Sequence, residues 1–363
     1  PRSECRGRGA FLARGRWHQR PAAAHKGALG KRILARHGEA SITVREDRAG
    51  RCKQTEAQAK ARPETVLPQR IGRDEMNLAE FPFALLADRP GAAGDTLVFT
   101  DTVPGPQGPV ERIWTVTGSQ EFGLPLAGDE LVYVALMEVT REQGFADRII
   151  HITRYDLIRR LGWPDKGGSY RRLQAALDRL LGVTIKAERA FWDNRKRRYV
   201  DVGFHIIDDY ALYDEQPGRK RAAADAAKAR PQSYVAWNQV IFESFKSGYI
   251  KHLDTAFYFG LRSALSRRLY RYLDKKRYDG KRHYRINLRK LAFEKLGMSR
   301  SYFPSHIKQE LRRAHDELQD KGFLESVEYQ REGQEELVVY QFASADQPQG
   351  RSRQARDPAR EAD

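Results

Sequence analysis

The chain has 363 residues, a formal net charge of +17, 40 % hydrophobic residues and 31 % charged residues. That length predicts about two domains, and the charge predicts a polyanion, an acidic membrane surface or an acidic protein as partner. No apolar run reaches the length of a membrane span, and the first residues do not have the order of a signal peptide. The two cysteines, Cys5 and Cys52, exclude a disulfide scaffold and a four-cysteine zinc site and favour the cytoplasm.

The two ends of the chain differ in composition from its middle. Residues 1–70 are rich in Arg, Ala and Gly and have neither helical nor strand periodicity. Such a segment cannot bury enough apolar surface to fold, so we predict a disordered basic extension. Two interpretations of it stay open: an upstream extension or misplaced start, and a basic arm with a function of its own. Residues 344–363 are predicted to be a disordered tail.

Regular structure is predicted from about Asp74 onward. Residues 97–99 and 113–116 have the composition of strands, and a loop rich in Pro and Gly separates them. A helix with one apolar face is predicted to begin at Gly128. A short strand is predicted over residues 149–152.

The next segment predicts two helices and a hairpin. Thr153 is a good N-cap for a helix over 154–161, and a glycine turn with Ser169 as N-cap leads into a second helix over 170–181. Strands at 183–185 and 199–207 are predicted to follow, joined by a turn at 192–198. The second helix places four apolar side chains inward at spacings of three and four: Tyr170, Leu173, Leu177 and Leu180.

The second half of the chain has the same element order. Residues 216–232 contain Pro217, Gly218, a basic cluster and an Ala-rich stretch, which is typical of a linker. Pro304 suits the first position of a helix over 304–321, which is predicted to bury Ile307, Leu311, Ala314 and Leu318. The other predicted elements here are helices at 255–265, 266–278 and 288–296, and hairpin strands at 327–329 and 337–342 around a turn at 331–334.

These patterns predict an α+β fold with tandem winged-helix domains, each a helix-turn-helix with a β-hairpin wing. The first domain is predicted over 71–215 and the second over 233–343. The second helix of a helix-turn-helix enters the major groove of duplex DNA, where Arg can bond guanine and Gln can bond adenine. The outward faces of the two second helices carry the candidate DNA-binding residues Ser169, Arg171, Arg172, Gln174, Arg179, Ser305, Lys308, Gln309, Arg312 and Arg313.

The two hairpins differ in charge. The tip of the first carries four basic residues, whereas the second is acidic at Glu332, Glu335 and Glu336. We therefore expect the first wing to hold the phosphate backbone and the second to do so weakly. Base reading is expected to be shared and led by the longer helix 304–321. The candidate contacts of the first wing are Arg195, Lys196, Arg197 and Arg198.

Residues for catalysis are not apparent in the sequence. His151 and His205 each stand alone, and the glycine-spaced run at 162–167 lacks the lysine of a phosphate-binding loop. Asp208 and Asp209 are adjacent and are expected to point apart. We therefore predict no catalytic residue, no metal site, no cofactor and no enzymatic activity.

Three segments resemble the bacterial replication initiator protein A family: residues 73–82, 237–244 and 268–276, within a likeness that extends over 71–343. The resemblance implies a cytoplasmic initiator of a plasmid or secondary replicon. It also implies binding to repeated origin sequences in double-stranded DNA, recruitment of the host initiator and replicative helicase, and repression of its own promoter as a homodimer. It assigns no role to residues 74–82. Alternatives are a winged-helix transcriptional regulator, a single-stranded DNA-binding protein and a DNA nickase.

Overall fold

The computed structural model describes residues 71–89, 94–104, 108–213, 232–277 and 280–344. The predicted N-terminal extension, the predicted linker apart from residue 232, and the predicted tail from residue 345 onward lie outside these ranges. Within them the predicted fold class is confirmed, because two helix-turn-helix units, each followed by a β-hairpin, lie in an α+β structure. The boundaries of the two domains stay predictions.

The described helices and strands follow in chain order. The helices are α1 Met76–Glu80, α2 Ala127–Glu142, α3 Arg154–Arg160, α4 Gly167–Gly182, α5 Gln239–Lys246, α6 Thr255–Phe259, α7 Ala264–Lys276 and α8 Pro304–Asp320, with a π-helical segment at Lys290–Lys295. The strands are β1 Ile71–Glu75, β2 Thr96–Val103, β3 Val110–Thr117, β4 Ile149–His151, β5 Thr184–Asp193, β6 Arg198–Phe204, β7 Ile207–Ala211, β8 Tyr234–Trp237, β9 Ile250–Asp254, β10 His283–Asn287, β11 Leu324–Glu332 and β12 Glu335–Phe342.

The strands form antiparallel sheets in the described ranges. The first wing, β5–β6, extends a four-stranded sheet of order β2-β3-β5-β6. The second wing, β11–β12, pairs through β12 with β10. Two further sheets, β4-β8-β7 and β1-β9, join segments from both halves of the chain.

The first helix-turn-helix consists of α3 and α4. The N-cap prediction for Thr153 is confirmed, since its hydroxyl accepts from the Asp156 N–H at 3.1 Å. The second helix begins three residues earlier than predicted, with Lys166 as N-cap. Ser169 therefore lies inside the first turn, where its hydroxyl donates to the Pro164 carbonyl at 2.6 Å. The N-cap prediction for Ser169 was wrong because Gly167 and Gly168 both adopt helical conformation.

The second unit confirms the position of Pro304 as the first residue of α8. Its predicted inward face is also confirmed, since Ile307, Leu311, Ala314 and Leu318 are all buried. The prediction of a helix over 255–265 was too long, because α6 ends before Gly260 and α7 starts after a new N-cap, Ser263. The segment predicted as an α-helix over 288–296 is π-helical at Lys290–Lys295.

Strand ends also depart from the predictions. The returning strand of the first hairpin, predicted to run to residue 207, stops at Phe204, and Ile207 begins a strand of another sheet. Both hairpins extend closer to their tips than predicted, and a two-residue turn with Gly333 at φ +60° joins β11 to β12. The apolar side chains of both units form one continuous core.

Buried ion pairs join the first residues of the described chain to α7. We call Asp74, Glu130, Arg268 and Arg271 the Asp74 network. The Arg271 guanidinium donates to both carboxylate oxygens of Asp74 at 2.7 and 2.9 Å and also bonds Glu130. Arg268 donates to Glu130 at 2.8 Å. All four side chains are at most 5 % exposed, so the desolvation cost of each charge is offset by its oppositely charged partners.

A second group of buried charges, the Glu80 network, lies between α1, β2 and the π-helical segment. Glu80 pairs with Lys295 at 2.7 Å and with Lys275 at 2.8 Å. Asp101 on β2 pairs with Lys295 at 2.6 Å and with Arg112. Burial alone would raise the pKa of Glu80, but the surrounding lysines and Arg112 hold it well below its ordinary range.

Candidate nucleic-acid interface

The outward face of α4 carries three of the predicted contact residues in exposed positions. Arg171 and Gln174 extend into solvent. Arg172 is also exposed, and its guanidinium lies 4.2 Å from the ring centroid of Trp163, in the turn between α3 and α4. A cation over an aromatic face is restrained in direction. The turn of this helix-turn-helix therefore positions one arginine of the candidate reading face.

Arg179 is placed differently from the other predicted residues of α4. Its guanidinium donates to both carboxylate oxygens of Asp129 on α2, at 2.6 and 2.9 Å, and its side chain is 14 % exposed. Hydrogen bonding to Asp129 raises the pKa of Arg179. A guanidinium held in this forked pair has few donors left for a base. Arg179 therefore anchors α4 to α2.

The tip of the first wing is an ordered turn. The Asp193 carboxylate accepts from the N–H groups of Arg195 and Lys196, each at 3.0 Å. Arg197 adopts the left-handed conformation at φ +54° and completes the turn. At its base, Trp192 packs edge-to-face on Tyr199 with ring centroids 5.2 Å apart. The four basic side chains, Arg195, Lys196, Arg197 and Arg198, are all exposed.

The same tip contacts α5 and the residue after it. The Asn194 side chain donates to the Ser247 carbonyl at 2.6 Å. Arg195 forms an ion pair with Glu243, although its side chain remains 66 % exposed. Arg197 instead contacts neutral groups, with Nη1 3.4 Å from the Asn194 Oδ1 and its guanidinium 6.0 Å from the Trp192 ring. Glu243 therefore neutralises part of the positive charge of Arg195, whereas the charge of Arg197 is neutralised less.

The outward face of α8 presents Ser305, Gln309, Arg312 and Arg313 in exposed positions. Lys308, the fifth predicted residue, is partly buried. Its ammonium lies 2.8 Å from a Glu336 carboxylate oxygen on β12 and 5.0 Å from the Tyr329 ring centroid. An acidic residue of the second wing thus neutralises one lysine of its own helix.

A buried histidine fixes α8 on the second wing. His315 lies on the inner side of the helix, with Nε2 3.0 Å from the Tyr340 hydroxyl of β12. Burial lowers the pKa of His315 to about 4, so the ring is neutral at pH 7. A neutral imidazole can satisfy the tyrosine hydroxyl without placing a charge in the core. Helix and wing are therefore held at a defined separation.

The predicted site residues form one group on each unit. Apart from Arg179 and Lys308, whose charges pair with carboxylates on neighbouring elements, they lie on accessible faces or at the wing tip. Ser169 bonds the turn that precedes α4. Helix α8 is the longer of the two second helices, as predicted, but only by one residue, since α4 has 16 residues and α8 has 17. Four residues that position these side chains were not predicted from the sequence: Asp129, Trp163, Glu243 and Glu336.

Among the described residues, no three His, Cys, Asp or Glu side chains are grouped so that they could hold a metal ion. No helix in those ranges has both the length and the apolar character of a membrane span. Asp208, which the sequence places beside Asp209, pairs with Arg148 at 2.8 Å and accepts from Asn238 at 2.6 Å.

Comparison with solved structures gives distant likenesses. A structure of domains 2 and 3 of RctB is 16 % identical, with a TM-score of 0.47, over 74 % of this chain and 98 % of that one. A second structure of RctB domains 2–3 is 15 % identical, with a TM-score of 0.41, over 74 % and 97 %. The Pi initiator protein in complex with iteron DNA is 14 % identical, with a TM-score of 0.45, over 78 % and 100 %.

Comparison at the level of sequence is more decisive. No curated protein matches the chain. The family model described as replication initiator protein A matches residues 73–317, which is more than half of the chain. The match begins beside the Asp74 network and ends within α8. It confirms the resemblance seen in residues 73–82, 237–244 and 268–276, and the chain belongs to the replication initiator protein A family.

Proposed function

We propose that this protein binds double-stranded DNA at repeated sequences of a replication origin and starts replication of a plasmid or secondary replicon. The observation that carries the proposal is the pair of helices α4 and α8. Each follows a tight turn, exposes long polar side chains and is followed by a hairpin. Membership of a replication initiator family supports the same function.

The two helices suit the major groove by their size and by the donors they carry. An α-helix fits the width of that groove, and each base pair displays its own pattern of donors and acceptors there. Arg171 and Gln174 on α4, and Gln309, Arg312 and Arg313 on α8, are exposed on the outward faces. Arginine can bond two acceptors of guanine, and glutamine can bond adenine in a similar fork. These five residues, with Arg172 positioned over Trp163, are the proposed base-reading set.

The net charge of +17 suits a phosphate backbone. The first wing concentrates part of that charge at an ordered tip, where Lys196, Arg197 and Arg198 are exposed. In the proposed complex the tip holds phosphates beside the groove that α4 enters, and Arg179 keeps α4 in position through Asp129. Lys308 contributes less, because Glu336 already pairs with it.

Footprinting on the DNA that flanks the gene tests the proposal. We expect direct repeats to be protected, and we expect that protection to persist when unrelated DNA is added as a competitor at fixed salt. A uniform footprint without sequence preference would contradict it. A plasmid that carries the protected segment but lacks its own initiator then separates replication from transcriptional control. We expect it to replicate when this protein is supplied, and failure to do so would favour a regulator.

The finer roles are also part of the proposal. Family membership supports recruitment of the host initiator and replicative helicase, and repression of the gene's own promoter by a homodimer. The protein is proposed to act by binding alone, without cleaving DNA. Incubation of supercoiled origin DNA with the protein and Mg²⁺ checks this point, and we expect no relaxation or nicking.

Replacing Arg312 by alanine is expected to weaken binding to the preferred repeat by about 1–3 kcal/mol and to relax the preference at one base pair. The reason is that a forked arginine–guanine contact carries discrimination of that size. Gel-shift titration against every single-base variant of the repeat measures both effects. Arg141→Ala is the matched control, since Arg141 is an exposed arginine at the end of α2. Equal effects of the two substitutions would remove Arg312 from the reading set.

Replacing Arg197 by glutamine is expected to weaken binding to all sequences alike. The slope of log affinity against log salt concentration should decrease by about one, because one phosphate contact is lost. Arg195→Gln is the control in the same turn, and its effect should be smaller, since Glu243 already pairs with Arg195. An unchanged slope for Arg197→Gln would show that this wing does not hold the backbone.

A further inference from the structure

The most exposed large apolar side chain in the described part of the chain is Phe303. It is 73 % exposed, and the next, Tyr155, is 47 % exposed. Phe303 is the N-cap residue of α8, in extended conformation at φ −77° and ψ 160°, and makes no side-chain capping bond. Phenylalanine has no oxygen that could accept from the first turn of a helix. Neither burial nor capping therefore accounts for this residue.

The backbone around Phe303 is well fixed. The Phe303 carbonyl accepts from the Ile307 N–H at 2.9 Å, and the Tyr302 N–H donates to the Ser299 carbonyl at 3.1 Å. The preceding ring, Tyr302, stacks on His306 with centroids 4.1 Å apart. Within the described ranges, the Phe303 ring stacks on no other ring. A hydrogen-bonded turn thus places an exposed phenyl ring at the start of α8.

This position is where a helix-turn-helix makes its base contacts. The N-terminal residues of the second helix approach the base edges most closely. Arg300, 55 % exposed, lies three residues before Phe303 and pairs with Glu294 at 2.7 Å, and Arg312 and Arg313 are exposed further along the same helix. A surface that combines this phenyl ring with exposed arginines further along the helix is a poor one for a basic protein partner. It suits a partner that is anionic and also displays an apolar group at a defined place.

We propose that Phe303 reads the C5-methyl group of a thymine in the major groove. That methyl group belongs to the pattern by which thymine is distinguished there, and phenylalanine is one of the side chains that contact it. The proposal rests on the proposed function and adds one base identity to it. Phe303 supplies the apolar contact, while Gln309 and Arg312 supply polar contacts further along α8.

The test uses duplexes that the full chain selects from a random-sequence library at fixed salt. Each thymine of the selected sequence is replaced in turn by uracil, which removes only the C5-methyl group. At one position we expect the affinity of the unaltered protein to fall about three- to four-fold, the value for one buried methyl-sized group. Phe303→Ala should bind more weakly and should not distinguish thymine from uracil at that position. Phe303→Leu, which keeps an apolar side chain, should retain part of the distinction.

The outcomes separate this inference from the proposed function. A library that yields no preferred sequence overturns both. A preferred sequence for which Phe303→Ala keeps every thymine preference of the unaltered protein overturns the inference about Phe303 alone. Equal weakening by Phe303→Ala on thymine and uracil duplexes, with a smaller DNA bend, also overturns it, because that pattern belongs to a ring inserted between base steps. An unchanged thermal unfolding midpoint of Phe303→Ala is the check that the variant is folded.

Discussion

Arg271→Ala is expected to lower the free energy of unfolding by about 3–5 kcal/mol. The Arg271 side chain is 3 % exposed and forms ion pairs with Asp74 and Glu130. Removing it leaves Asp74 with the Tyr133 hydroxyl at 3.3 Å and the more distant Lys251 ammonium at 3.7 Å, while Glu130 keeps Arg268. A buried charge that loses its partner carries its full desolvation cost. Urea unfolding monitored by tryptophan fluorescence measures the loss.

Two further variants make this result specific. Arg285→Ala removes an exposed ion pair with Glu332, in which the two side chains are 64 % and 54 % exposed. Its effect should be at most about 1 kcal/mol. Asp74→Ala combined with Arg271→Ala should lose less than the sum of the single substitutions, because the two side chains are in direct contact. A loss for Arg271→Ala as small as that for Arg285→Ala would mean that the buried pair does not hold the fold.

Acid is expected to remove about 3 kcal/mol of stability that depends on Glu130. Burial alone would raise the pKa of Glu130, but Arg268 and Arg271 outweigh it and lower the pKa from 4.5 to about 2. A carboxyl group whose pKa is lowered by folding stabilises the protein above the unfolded pKa. It loses that contribution as the pH falls toward the folded pKa. The interval between these two pKa values corresponds to about 3 kcal/mol, of which about 2 kcal/mol should be gone at pH 3.

Comparison with Glu130→Gln isolates this group from the other acids. The difference in unfolding free energy between the unaltered protein and Glu130→Gln should be constant above about pH 6 and should shrink between pH 4.5 and 3. Glu75→Gln is a control of opposite sign, because burial raises the pKa of Glu75. Lowering the pH should therefore raise the unfolding free energy of the unaltered protein relative to that of Glu75→Gln. If the difference for Glu130→Gln does not change with pH, Glu130 is not the stabilising anion.

The two helix-turn-helix units could be predicted because their signals are local. Leu173 and Leu177, and Ile307 and Leu311, repeat at four-residue spacing, and all four are buried as that spacing predicts. Thr153 and Pro304 mark helix starts by chemistry that acts within one turn. Periodicity and capping therefore predicted both units correctly, although individual element ends shifted by a few residues.

Contacts between distant segments could not be predicted in this way. Arg271 and Asp74 are 197 residues apart in sequence, and no spacing pattern connects them. Strand β1 was not predicted because its polar residues Arg73, Asp74 and Glu75 lack strand periodicity. Asp74 is buried where β9 pairs with this strand and Arg271 of α7 supplies the opposite charge. The family resemblance included both segments, residues 73–82 and 268–276, but gave no physical reason why they should be in contact.

The same limit applies to the candidate interface. Sequence spacing correctly placed Arg171, Gln174, Gln309 and Arg312 on exposed faces, since a helix period needs only local information. It could not reveal that Arg179 pairs with Asp129, because the two are 50 residues apart. The acidic character of the second wing was visible in the sequence. Which cation its Glu336 would pair with was not, and the structure shows that it is Lys308.

The bond between Asn194 and Ser247 has a consequence for the entropy of binding. A loop that becomes ordered only on contact with its ligand loses conformational freedom, at about 0.5–1.5 kcal/mol for each side chain that is immobilised. The tip of the first wing is already held by Asp193 from within and by α5 from outside. In the proposed complex its backbone would therefore lose little freedom. The same rigidity prevents it from following a duplex of unsuitable curvature, so the tip would favour DNA whose backbone already has the matching shape.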